Sequence, residues 1–412
     1  MNSTKTNSAI VRKVSFAVFC CKHVLDAATT AISCRALTIA FLSVLFVGAT
    51  RSARAQTESV LYTFTGPTDG AYSVAGLVRD TQGNLYGTTY QGGGTGCNNL
   101  GCGTVFELTP SGTLKVLYTF NGKADGATPL SGLILDKAGN LYGTTGYGGT
   151  SGDGTVFEIT AAGNHKVLHS FTGIDGAVPS AGLLRDGAGN LYGTTQYGGA
   201  NYGTVFKIAP TGAETVLYSF TGGVDGGAPL GSLVLWNGNL YGTTADGGAF
   251  GQGTVFEVTK KGAEKVLYSF SGGADGGGPF AGLVLDSVGS LYGTTLGGGG
   301  SGSGTVFEVT QTGAETVLYS FTGGADGGSP VARLVRDAKG NLYGTTTTGG
   351  ASFNGTVFEL SATGMETVLH SFTRGSDGAH PESGLLRAGG SLYGTTFYGG
   401  PNDRGTVFKV IP

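Results

Sequence analysis

The sequence predicts an all-β fold, a seven-bladed β-propeller with four-stranded antiparallel blades, closed by an N-terminal strand that completes the last blade. Three observations carry this reading. First, a unit of 49 to 51 residues, 56 in its first copy, occurs seven times: Val-Leu-(Tyr/His)-(Thr/Ser)-Phe begins at Val60, Val116, Val167, Val216, Val266, Val317 and Val368, and Gly-Thr-Val-Phe at Gly103, Gly154, Gly203, Gly253, Gly304, Gly355 and Gly405. A period of this size is that of a propeller blade, one small sheet that must be flanked by neighbours to cover both faces. Second, each unit holds four short runs rich in Val, Leu, Tyr, Phe and Thr, separated by Gly, Asn, Asp and Pro, and none is long enough for a helix. Third, the repeats begin on an outermost-strand sequence, Val60 to Phe64, and end on a third-strand sequence, Gly405 to Val410, so the two ends complete one blade. Pairing them removes the edges that an open array would expose. A parallel β-solenoid is the competing architecture, but its coils are usually shorter and carry flatter ladders.

Residues 1–55 read as a secretory signal peptide: scattered charge (Arg12, Lys13, Lys22, Arg35), an apolar run from Ala36 to Ala49, and Ala53-Arg54-Ala55 before Gln56. The run is shorter than the ~20 residues a membrane helix needs. Residues 56–412 form the expected propeller, with units starting near 60, 116, 167, 216, 266, 317 and 368. The leader holds 7 of the 24 Lys and Arg and 1 of the 27 Asp and Glu, which leaves 17 against 26 on the mature chain. That acidic balance argues against nucleic acid or an anionic membrane as partner. Cys20, Cys21 and Cys34 leave with the leader, and Cys97 and Cys102 sit in the surplus of the longer first unit, so a disulfide stapling this insertion is expected in an exported chain. A secreted or periplasmic monomer is expected.

In the second unit the strands are read as Gly132 to Asp136, Asn140 to Thr145, Gly154 to Thr160 and Lys166 to Phe171, with tight turns at Asp136 to Asn140 and Ala161 to Asn164. Leu-Tyr-Gly-Thr-Thr recurs with its glycine invariant, and a strand glycine marks close approach by another group. The expected group is an aromatic of the adjoining sheet, with Phe106 and its equivalents as candidates.

The run Asp-x-x-Gly-Asn-Leu-Tyr-Gly-Thr-Thr, then Gly-Gly and Gly-Thr-Val-Phe, as in Asp186 to Phe206, resembles the GloVer tandem repeat over Val60 to Pro412. The resemblance implies an exported bacterial repeat protein and brings no established activity. The shorter Asp-x-x-Gly-Asn-Leu-Tyr core is also similar to repeats of other secreted propellers, including sugar-lactone hydrolases. That likeness implies, by fold analogy alone, a second reading as a hydrolase or lyase acting on a sugar lactone or polysaccharide.

Within an antiparallel blade, the loop between strands two and three and the loop to the next blade emerge on one face. These are the least regular segments, and they carry Tyr90, Tyr147, Tyr197, Tyr202, Phe353 and Tyr398, with Phe250 and Phe397, among Asn, Gln, Ser and Thr. Aromatics beside hydroxyl-binding side chains suit saccharide or an extracellular peptide, whereas rings folded down would only cover their own blades. The same face gathers Asp69, Asp125, Asp175, Asp225, Asp275, Asp326 and Asp377, each before glycine. Seven carboxylates invite calcium, but Asp-Gly is foremost a turn signal. The hairpin acids Asp80, Asp136, Asp186, Asp286 and Asp337 give way to Trp236 and Ala388 where the hairpin is one residue shorter, so they track turn geometry. His169 and His370 read as partly buried and hydrogen-bonded. The last unit is the most irregular, and His380 with Glu382 is the weak candidate acid–base pair. No nucleophile elbow, HExxH helix or phosphate loop occurs. The expectation is a non-catalytic binding or scaffold protein.

Overall fold

Strands form where the sequence alternates short apolar runs with turn residues, and in the computed structural model, which describes residues 57–412, they assemble into seven four-stranded antiparallel sheets. The proposed leader and its three cysteines lie outside the described residues. Blade 1 comprises Val78–Arg79, Leu85–Thr89, Thr104–Leu108 and Leu114–Thr119, from the axis outward. Blades 2 to 6 repeat this order. Blade 7 takes Leu386–Ala388, Ser391–Thr395 and Thr406–Ile411 from the C-terminal end and its outermost strand, Thr57–Thr63, from the N-terminal end. The closing register runs from Thr57 opposite Ile411 to Thr63 opposite Thr406. The ring therefore closes through backbone hydrogen bonds, as the phase of the repeats requires.

The two middle strands of each blade are buried on both faces, which is why Leu-Tyr-Gly-Thr-Thr and Thr-Val-Phe read as near-continuous apolar and small residues. Phe206 lies directly opposite Gly193 in the same sheet, and a Cβ on Gly193 would sit 2.5 Å from the Phe206 ring. The expected source of that aromatic is thus corrected: it is the facing strand of the same blade, folded across the glycine. What crosses between blades is a second ring, the Phe at the end of each outermost strand. Phe171 of blade 2 meets Phe206 of blade 3 edge to face at 5.1 Å, and the closing pair Phe64–Phe106 does the same at 5.4 Å. All seven blade interfaces carry such a pair. Each contributes ~1 kcal/mol beyond the area it buries.

A β-bulge interrupts the pairing of the third and outermost strands, between Val205 and Phe206 in blade 3, and recurs in every blade. Bulges increase local twist. The outermost strand leans onto the preceding blade, so that His165 of blade 2 stacks on Tyr118 of blade 1 at 4.1 Å.

Candidate functional site

Antiparallel strand order brings the irregular loops to one face, where the loop into blade 2 bridges its second–third loop through Ala127 and Tyr147. Two residues before each of the segments that line a channel along the ring axis, Tyr72, Thr128, Val178, Ala228, Gly278, Ser329 and His380 all adopt positive φ, between 50° and 63°. Each is pinned on both sides. The Tyr72 N–H donates to the Arg404 carbonyl of the preceding blade and its carbonyl accepts from Tyr90, a pattern the other six repeat. Such strain, ~1–3 kcal/mol at a non-glycine position, persists only where the surroundings over-determine it.

Among the aromatics expected on this face, Tyr147, Tyr197, Tyr202 and Phe353 are 49%, 50%, 48% and 70% exposed, as is Phe250 at 64%. They point outward. Tyr90 and Tyr398 are half-buried. Gln196 donates to the Tyr197 hydroxyl at 3.1 Å, and Tyr202 lies over Gly222. Where blade 7 meets blade 1 the face changes character. Tyr72 stacks on Phe397 at 5.0 Å, Arg404 lies over Tyr72 and Arg374 over Tyr398, each at 5.1 Å, and Arg374 pairs with Asp403 at 2.9 Å. This makes a cationic, aromatic ledge beside the channel mouth. His380 packs against Tyr398 on the ledge, whereas Glu382 lines the channel. No hydrogen bond or ion pair among the described residues joins those two side chains, so the structure does not bring the weak acid–base candidates together.

The seven Asp-Gly carboxylates are spent on their own turns. Asp225 accepts from the Tyr218 hydroxyl at 3.0 Å and from the Thr221 N–H at 2.8 Å, and its equivalents repeat the arrangement, with His169 and His370 in place of tyrosine before Asp175 and Asp377. They are spread around the rim rather than gathered on one ion. One rim position differs: ligand atoms of His169, Asp175 and Glu214 lie within 4.8 Å of one another, the one such three-group cluster among the described residues. An imidazole with two carboxylates suits a zinc-like ion better than calcium, which prefers all-oxygen shells.

Glu214 belongs to a series that sequence reading missed. Glu58, Glu214, Glu264, Glu315 and Glu366 open the outermost strands and reach the Asp of the preceding blade's loop; burial, then the charge of that Asp, pushes each carboxyl up to about 7. One oxygen of each is buried without a hydrogen bond. His165 holds the same place in blade 2, and burial lowers its pKa. The available signal was a glutamate recurring two residues before Val-Leu in five units. The hairpin acids behave as expected: Asp136 accepts from Asn140 and from the Tyr142 hydroxyl, and these bonds hold it below the usual range against the opposing effect of burial.

Cys97 and Cys102 are joined as expected. No helix among the described residues is long and apolar enough to cross a membrane.

The repeat model of a family described as Gloeobacter/Verrucomicrobia repeat matches residues 49–247 and 236–412. No curated protein matches the sequence. Among solved structures, a gluconolactonase from Xanthomonas campestris is 14% identical, with 70% of this chain and 86% of that chain covered and a TM-score of 0.43. A luciferin-regenerating enzyme is 12% identical over 87% and 96%, with a TM-score of 0.45. A puromycin-hydrolysing peptidase of Mycobacterium tuberculosis is 14% identical over 72% and 43%, with a TM-score of 0.46.

Proposed function

We propose, from the premise that this chain belongs to the Gloeobacter/Verrucomicrobia repeat family, that it is a secreted or periplasmic, monomeric binding protein that recognises saccharide without catalysis through the irregular face of its ring. The observation that carries this reading is the outward set of Tyr147, Tyr197, Tyr202, Phe250 and Phe353 on one face, each about half exposed or more. A folded-down ring would be buried. An exposed ring offers a flat apolar surface to the C–H face of a sugar, and neighbouring Gln196, Asn201 and Asn354 supply hydrogen-bonding partners for hydroxyls. Rings spread over several blades favour a shallow ligand with repeated units, held by several weak contacts at once.

The test is a glycan array probed with the mature chain and its Tyr197→Ala and Phe353→Ala variants. Each variant is expected to bind its best glycan ~5-fold more weakly, about 1 kcal/mol for one stacked ring. Binding unchanged in both variants moves the site elsewhere. Turnover of a sugar lactone that His380→Ala abolishes would replace the binder with a hydrolase.

A further inference from the structure

The axis of the ring is a channel of about 730 Å³. Seven equivalent segments line it, and their alternate positions stack as successive rings, of which the first two decide its chemistry. In the ring nearer the mouth, Leu130, Leu230, Phe280 and Val331 set an apolar character that Glu382 alone breaks with a charge. In the next ring the repeat supplies glycine in five segments and Ser232 in a sixth. Small residues are the geometric default there: a Cβ on Gly76 would lie 3.2 Å from the Gly384 carbonyl oxygen, and one on Gly132 3.0 Å from that of Gly76. The remaining segment carries Arg333.

A long cation in a ring built for glycine is not there to fill space. Protein surrounds Arg333 closely enough that burial lowers its pKa, yet its surface opens on the water-wide lumen. Its Nε donates to the Leu283 carbonyl at 2.9 Å, which fixes the plane of the guanidinium. That bond uses one of five donors. No carboxylate lies within ion-pair distance of it among the described residues, Glu382 included. Arg333 also lines a second cavity, of about 1050 Å³, that reaches the hairpins holding Asp80 and Asp136 on the opposite face. The cation thus stands partway along the channel, before a further ring of Val78, Leu184, Val234, Val284 and Val335, with a fork of N–H groups and no carboxylate in ion-pair reach among the described residues.

We infer that the axial channel binds a small organic monocarboxylate, its carboxylate on Arg333 and its apolar body against Phe280, Leu230 and Val331. The guanidinium fork matches a carboxylate through two parallel hydrogen bonds. The apolar ring selects for a hydrocarbon body over an inorganic anion. Glu382, two residues up the neighbouring segment and so ~7 Å along the axis, disfavours a second anionic group at the far end. The site is separate from the aromatic face.

Isothermal titration calorimetry on the mature chain tests this with hexanoate, hexanamide and inorganic phosphate, the last two lacking the charge or the hydrocarbon. Hexanoate is expected to bind at least tenfold more tightly than either. Arg333→Gly installs the residue that five sister segments carry, and it is expected to weaken hexanoate tenfold or more while leaving glycan binding unchanged. Hexanoate that binds no better than hexanamide overturns the inference without any variant. Equal hexanoate affinity in Arg333→Gly overturns it as well, and phosphate binding as tightly as hexanoate would mark a simple anion trap and do the same.

Discussion

Raising the pH from 5 to 8 should destabilise this propeller, because five carboxyls ionise where the folded ring disfavours their charge. Glu58, Glu214, Glu264, Glu315 and Glu366 rise from 4.5 to about 7 on folding. A carboxyl that holds its proton longer folded than unfolded favours the folded state below the unfolded value and loses that advantage as pH climbs through the folded one. Taken at face value, the shift is worth ~3 kcal/mol per group. Each group is only partly buried, so solvent screening reduces this to about 1 kcal/mol, or about 5 for the set. His165 and His370 act oppositely: burial lowers both, so they cost stability as pH falls below the ordinary histidine value. Unfolding some 350 residues releases about 0.75 kcal/mol/K, so after that offset Tm is expected to fall by about 5 °C between pH 5 and pH 8. Circular dichroism melts at the two pH values measure it. Replacing all five by glutamine keeps their shape and should flatten the profile. A wild-type Tm that is equal or higher at pH 8, or a five-fold variant that keeps the fall, refutes the reasoning.

Gly193→Val drives a branched side chain into the Phe206 ring, 2.5 Å from the new Cβ. Overpacking of this kind should cost about 3 kcal/mol and lower Tm by about 4 °C, and a neutral outcome in the same melts would show that the ring simply moves aside. Six of the seven rim aspartates have both oxygens engaged by hydroxyl, imidazole or backbone N–H groups, and only Asp125 keeps one buried oxygen without a partner, so EDTA should leave Tm unchanged; a fall of several degrees reversed by calcium would give those carboxylates a metal after all.

The architecture was legible because seven copies of one pattern leave few alternatives, and because the unmatched ends at Val60 and Val410 specify their own pairing. The contact of Gly193 was legible only in part. The glycine recurring inside a strand marks the close approach of another group, but whether Phe206 comes from the facing strand or the next sheet depends on cross-strand register, which no single strand encodes. The rim glutamates were not legible for a related reason. Glu264 reads as a solvated residue opening an exposed strand, and its neighbour Asp225 lies in the loop that follows the preceding blade, 39 residues earlier in the chain. Glu382 stood out as a break in the repeat. Arg333 did not, although aligning the seven copies places it against five glycines and a serine.

The central claim is that recognition belongs to one face of the ring. The glycan selected on the array should be titrated calorimetrically against two sets of variants. One set is Tyr147→Ala, Tyr197→Ala and Phe353→Ala combined, on the irregular face. The other is Val288→Ser with Met365→Ser, which are 75% and 52% exposed in the regular hairpins opposite. The account predicts a loss of affinity of at least tenfold in the first set, about 1 kcal/mol per ring less any ring the ligand does not reach, and none in the second. Equal affinity in the aromatic triple variant, or a loss confined to the Val288 and Met365 variant, would contradict it.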